Sequence, residues 1–249
     1  MFSGRSKHFQ MNEGNVILAG SAGAKGGTQL QIDKEAVLEH VTRHIGAPSL
    51  ILGEEVSHLV ELDVLCIAPK PGRPYWTLVS CGMSDRPMET PSGEKGFVRL
   101  ELVLCLPADW KISPEAFKDE IWYWPFRLLK NLARFPHLYK TWFGHGHTIP
   151  HGGEYPVSYA DGVPFCCSVL GPRYTLGKKF PKLILSGHEV NFMGVYPLYK
   201  EEMEFKLKKG ADALFKRFER RKVTELLDLE RANVCQKGKS GSGMFSDWT

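Results

Sequence analysis

Val98-Arg99-Leu100-Glu101-Leu102-Val103-Leu104-Cys105-Leu106-Pro107 decides the fold. Val98, Leu100, Leu102, Leu104 and Leu106 alternate with Arg99, Glu101, Val103 and Cys105, so an extended segment here has one fully apolar face. Pro107 stops it. Upstream, 61–67 and 75–81 read as strands, the first ended by Pro69 and Pro71; downstream, 165–171, 181–186 and 191–196 read the same way. Helical periods flank these runs. Asp33 is a plausible cap for a helix carrying Val37, Val41 and Ile45, which Gly46 and Pro48 end. A helical pair spans about 114–136, with Pro125 in a first turn and Leu128, Leu132 and Phe135 as an apolar stripe. In 201–218, Met203, Leu207, Ala211, Leu214 and Phe218 fall on one side, and a shorter helix over 221–231 closes the chain. Strands in runs with flanking helices specify an α+β fold, a mostly antiparallel sheet flanked by helices. The expected organisation is a flexible leader over 1–30, one domain over 31–235 and a flexible tail over 236–249.

The chain has 249 residues, 43% of them hydrophobic, which suffices for one large core. Its 32 Lys and Arg are interspersed with 28 Asp and Glu, so a net charge of +4 makes no case for nucleic acid. No apolar run approaches the ~20 residues of a membrane helix. The cysteines Cys66, Cys81, Cys105, Cys166, Cys167 and Cys235 form no CxxC pair. At this length they read as reduced, mostly buried thiols of a cytoplasmic protein. The stretch 20–27 is rich in glycine but lacks the terminal Gly-Lys-Ser/Thr of a phosphate loop.

Three features could carry chemistry. His145, His147 and His151 lie within seven residues, with Asp85, Glu101 and Glu154 as possible companions. A metal-dependent hydrolase needs three such ligands and an open position. Against it, Gly144, Gly146, Gly152, Gly153 and Pro150 make the segment a loop, and ordering three side chains there is costly. Gly82-Met83-Ser84-Asp85 has a Gly-x-Ser core without the second glycine of a nucleophile elbow, and reads as a strand-ending turn in which Asp85 accepts from backbone N–H groups. Glu101, between two leucines, reads as a carboxylate on the solvent face; paired with Arg99 or Arg134, it would instead mark a cleft. Lys206 to Lys222 reads as the solvated face of an amphipathic helix.

The assembled pattern resembles the Suppressor of fused (SUFU) domain family in its bacterial branch. The residues that carry the resemblance are Glu54-Glu55-Val56-Ser57, Asp63-Val64, Gly82-Met83-Ser84-Asp85 and Glu101 to Pro107 with Trp110. They continue with Trp124-Pro125, Leu132-Ala133-Arg134-Phe135, Gly146-His147-Thr148, Pro197-Leu198-Tyr199 and Glu201-Glu202. The resemblance spans roughly 35–235. It implies an α+β fold and no known enzymatic activity. It also implies a protein-binding role: animal relatives hold a transcription factor by adding its peptide as a strand in a cleft, and some bacterial relatives look like immunity proteins. Gly146 stands where animal forms carry an acidic residue.

The expected function is therefore a non-enzymatic protein-binding domain, an immunity protein or antitoxin that neutralises a partner toxin. The alternatives are the hydrolase and an intracellular adaptor without a toxin. No cofactor, metal, nucleic acid or membrane is expected. The expected partner surface is a cleft bordered by the 121–136 helix and the 144–150 loop. There Arg127 and Arg134 can pair with carboxylates, Phe135 and Trp142 supply aromatic anchors, and His147 completes the surface.

Overall fold

The structure, a computed structural model, describes residues 17–18, 29–53, 61–92, 97–153, 155–177, 180–185 and 187–236. The glycine-rich stretch 20–27, Glu54 to Ser57, Glu154, and all of the expected tail except Gln236 lie outside these residues.

Nine strands are described: β1 (Ile17–Leu18), β2 (Leu50–Gly53), β3 (Asp63–Ile67), β4 (Tyr75–Cys81), β5 (Leu100–Pro107), β6 (Thr148–Pro150), β7 (Cys167–Gly171), β8 (Leu183–Leu185) and β9 (His188–Leu198). Four helices accompany them: α1 (Gln29–His44), α2 (Glu120–Tyr139), α3 (Lys200–Lys209) and α4 (Ala211–Arg221). The sheet runs β1-β2-β3-β4-β5-β9-β7-β6, with β8 pairing β9 off this path. Every pairing is antiparallel except that of β5 with β9, whose register sets Leu100 opposite Asn191. The sequence-based α+β reading holds. Two residues of the expected leader, Ile17 and Leu18, pair with Leu52 and Gly53.

The alternation in β5 sorts its side chains onto two layers. Leu100, Leu102, Leu104 and Leu106 meet α2 through Trp124, Phe126, Leu129 and Ala133. Val103 and Cys105 face the other way, where Val37 and Val41 of α1 pack. On that same side α4 covers β7 and β9, with Leu214, Phe215 and Phe218 against Val169, Tyr196 and Leu198.

Three expectations are corrected. Pro125 does not lie in a first turn: its helix starts at Glu120, with Asp119 as its cap accepting from Ile121 N at 3.2 Å, and both Pro125 and Pro136 lie inside it. The expected single helix over 201–218 breaks at Gly210, whose φ of 85° ends α3 and begins α4. No helix forms over 221–231. Lys222 turns the chain at φ 56°, and Cys105 N and Leu227 N exchange bonds with Glu225 O and Cys105 O at 2.9 and 2.8 Å, so the segment lies beside β5 as a strap. Two buried carboxylates pin that strap, which outweighs the helical tendency of a short segment.

Cys66, Cys81, Cys105, Cys166 and Cys167 are buried and unpaired. Burial pushes the thiols of Cys66, Cys105 and Cys167 up to about 12, where almost no thiolate exists at neutral pH. A maleimide added to the native protein should therefore label Cys235 first, being half-buried. Labelling of the other five should wait for unfolding, as read by mass spectrometry with and without denaturant.

Candidate functional site

The periodicity of α2 builds one wall of a groove. Arg127, Asn131, Arg134 and Leu138 recur at spacings of four, three and four residues, and Trp124, Leu128, Leu132, Phe135 and Tyr139 run beside them. The opposite wall is β6, the terminal strand of the sheet, and its exit through Ile149, Pro150, His151, Gly152 and Gly153. The space between them is about 350 Å³. Gly152 fits this wall because its φ is 88° and a Cβ there would stand 2.7 Å from Val157 Cγ2. Tyr159 forms the floor: its ring stacks on Trp124 at 5.1 Å, and its hydroxyl bonds Ser168 Oγ at 2.7 Å. His151 Nδ1 lies 3.1 Å from the carbonyls of both Val157 and Ser158. Two carbonyl acceptors at one nitrogen make Nδ1 a donor. Leu138 and Tyr139, which line the groove, are 53 and 67% exposed, and Val157, beside Gly152, is 52% exposed.

The structure brings Arg127, Arg134 and Phe135 together in this groove. The Arg127 guanidinium is already engaged, pairing with Glu120 at 2.5 Å and donating to Tyr159 O at 2.7 Å. Burial lowers the Arg134 pKa, the mark of a cation drawn partly out of water. Phe135 is half-buried, with its ring 5.5 Å from Phe143 and 4.5 Å from Tyr139. Trp142 and His147 form a neighbouring cluster of their own, ring to ring at 4.6 Å, and do not line the groove. Burial holds the His147 imidazole below its ordinary pKa. Lys130, the other cation of α2 between Arg127 and Arg134, is buried and donates to Gly53 O.

The three histidines do not converge. His145 stacks on Phe215 at 5.0 Å and lies 3.9 Å from Asp212; His147 meets Trp142; His151 meets Tyr159 at 4.8 Å. Among the described residues no group of three His, Cys, Asp or Glu side chains is arranged to hold a metal ion. The three rings therefore do not form the ligand set that the hydrolase reading requires: the glycines let each ring find its own neighbour. Gly146 adopts φ 78° and abuts Ala211, which seats the loop on α4.

Sequence reasoning placed Glu101 on the solvent face, yet it is fully buried. The cause lies in the turn after β4. Gly82 takes φ 115°, where a Cβ would stand 2.1 Å from Glu61 O, and this aims the amides of Gly82 and Ser84 inward. Glu101 Oε1 accepts both at 3.0 Å and Ser84 Oγ at 2.7 Å, while Oε2 accepts from Ser80 Oγ. Glu101 therefore does the work that the sequence assigned to Asp85, whose buried Oδ1 finds no hydrogen-bond partner among the described residues. Burial raises both carboxyls to about 7, and for Asp85 the nearby Glu101 charge adds to this. Raised carboxyls mark candidate catalytic acids. Here, however, the acceptor atoms of Glu101 are occupied by the chain's own donors, so the pair is a fastening of the turn.

The residues 59–232, well over half of the chain, match the family model of the Suppressor of fused protein (SUFU). A search of curated proteins finds no match. Among solved structures, the chain is similar to a SUFU homologue from Neisseria gonorrhoeae FA 1090, with a TM-score of 0.61 at 17% identity, covering 83% of this chain and 99% of that one. It is similar to the chain of a Sufu–Fu complex, with a TM-score of 0.57 at 14% identity over 81% and 92% of the two chains. It is also similar to Drosophila Suppressor of Fused, with a TM-score of 0.57 at 13% identity; the match covers 81% of this chain but only 51% of the fly protein. Such identities speak for the fold, and the family model covers β3 to β9, α2 to α4 and the strap as far as residue 232: the chain belongs to the Suppressor of fused family.

Proposed function

We propose that this chain is a non-enzymatic protein-binding domain that seats a segment of a partner protein in the groove between α2 and β6. The observation that carries the reading is the groove itself: an apolar floor with a partly desolvated arginine on its wall, the exposed Leu138 and Tyr139 in its lining and the exposed Val157 beside Gly152. Large apolar side chains beside arginine are the composition in which interface energy concentrates. Support also comes from a structural neighbour solved as a Sufu–Fu complex.

The finer reading is that of an immunity protein or antitoxin acting in the cytoplasm, its partner a toxin domain. The resemblance to bacterial SUFU domains and six unpaired cysteines support it. No helix among the described residues is long and apolar enough to cross a membrane. An adaptor without a toxin would use the same groove. The gene's neighbourhood separates the two: an adjacent toxin gene, whose product is inhibited by this chain in co-expression, supports immunity.

Arg134→Ala tests the groove. Partner capture should fall at least about tenfold, the typical scale for a central interface arginine, with the melting temperature unchanged. Trp142→Ala, outside the groove, should affect capture less. Undiminished capture by the Arg134 variant rejects this surface, and a collapsed melting temperature makes Arg134 structural.

A further inference from the structure

The chain's positive charge is concentrated in one place. Residues 206–222 carry eight lysines and arginines against Asp212 and Glu219, a surplus of six; with +4 overall, the rest of the chain has a deficit of two. The fold turns this stretch outward. Leu214, Phe215 and Phe218 anchor α4 to the sheet, so the remaining face projects away. Lys208, Lys209, Lys216, Arg220, Arg221 and Lys222 are all exposed. None of the six joins an ion pair among the described residues. Those in the last turns of α3 and α4 complement the helix dipoles, but six like charges gathered on neighbouring turns also repel one another, more than two helix ends require. Within the same run, Leu207 is 67% exposed between Lys206 and Lys208.

We infer that the α3–α4 face is a second interaction surface, whose partner is a protein bearing an acidic patch around an apolar pocket that receives Leu207. Two observations favour a protein over a nucleic acid. A leucine amid lysines suits an apolar pocket with a charged rim, whereas a phosphate backbone offers it nothing. The aromatic rings here are covered and cannot stack on bases: Phe215 and Phe218 are buried, and the Arg217 guanidinium lies 3.9 Å from the Phe205 ring centre. The face lies across the sheet from α2, so it is separate from the groove. Its cations would speed encounter by steering, and Leu207 would slow release.

The test uses the full chain and its K216E/R220E/R221E variant, each immobilised in nuclease-treated lysate of the source organism. Retained proteins are identified by mass spectrometry, and the principal one is purified and titrated against each form. The expected result is an acidic protein whose affinity falls at least about tenfold in the variant and severalfold between 50 and 300 mM salt. Leu207→Ala should weaken it further at either salt concentration and leave the melting temperature unchanged, while the charge-reversed variant, with two glutamates against the dipole in the last turn of α4, should fall by only a few degrees because every altered residue is exposed. Equal affinity for both forms, or loss in Arg134→Ala but not in the charge-reversed variant, would place binding in the groove and overturn the inference. So would tight binding of a labelled 20-base-pair duplex in place of any protein.

Discussion

Replacing Glu101 by alanine is expected to cost the domain about 4 kcal/mol, the scale for removing one member of a buried charged network. For a chain of this size that corresponds to a fall of roughly 10–15 °C in melting temperature. The loss would come from the donors left behind. The amides of Gly82 and Ser84 and the hydroxyls of Ser80 and Ser84 all converge on this carboxyl, and the backbone amides cannot turn away. Glu101→Gln keeps one acceptor oxygen and should cost far less. The same pair sets a pH dependence. Burial raises Glu101 and Asp85 to about 7 in the folded chain, above the ordinary carboxyl range of the unfolded chain. The folded state therefore holds protons that the unfolded state has released, and stability falls as pH rises through that window. Burial lowers His40, His137 and His147, which has the opposite effect and removes stability below about 6.5. The arm between pH 6.5 and 7.5 thus belongs chiefly to the carboxyls; above it the buried thiols of Cys66, Cys105 and Cys167, still protonated where those of the unfolded chain ionise, add a fall of their own. Urea melts should show wild-type stability dropping by about 1 kcal/mol between pH 6.5 and 7.5. In Glu101→Gln and Asp85→Asn this drop should shrink. A flat wild-type profile, or an unaltered slope in both variants, would show that these groups ionise freely.

How much of this was legible in the sequence follows from the range of each interaction. The alternation in β5 and the 3.6-residue stripe of α2 are local patterns, and each gave its element and its buried face correctly. Three residues of the expected partner surface, Arg127, Arg134 and Phe135, do meet in one groove: Arg134 lies seven residues after Arg127 and so shares its side, and Phe135, seven after Leu128, stands in the stripe beside it. Trp142 and His147 separated from them because a glycine loop's path depends on what it lands on, here Ala211 of α4. Glu101 was misplaced for a related reason. Alternation tells which face a residue occupies, but not that the 82–85 turn folds back to cover that face with donors. A signal was present in Gly82-Met83-Ser84-Asp85: a glycine and two small polar groups after a strand can present inward amides, though nothing local names the acceptor. The strap was misread as helix because its partners lie far away in sequence, at Cys105, Thr175 and Glu202.

That strap carries the second large effect. Glu202 on α3 is fully buried and receives Arg231 through two nitrogens, Nη1 to Oε1 at 2.6 Å and Nη2 to Oε2 at 2.5 Å. Oε1 also accepts Val234 N at 3.0 Å, and Oε2 accepts Tyr199 N at 3.2 Å, closing the N-terminal turn of α3. The guanidinium lies 4.9 Å from the ring centres of Phe165 and Tyr199 and donates to Pro197 O at 2.9 Å. Glu202→Ala leaves that cation enclosed without its carboxylate and is expected to cost about 3–5 kcal/mol. Arg231→Ala strands the carboxylate at a similar cost. Because each single change damages the same unit, the double variant should cost clearly less than the two together. The loss should also be local at first. Glu225 is tied separately, accepting Thr175 N at 2.8 Å and Thr175 Oγ1 at 2.6 Å, so the strap should loosen from its far end. In hydrogen exchange, the Val234 amide should lose protection first in Glu202→Ala, then those of Leu227 and Cys105, with the β3–β4 ladder last. Additive costs in the double variant would mean that the two residues act independently. Simultaneous exchange throughout would mean that the strap and the sheet open as one cooperative body.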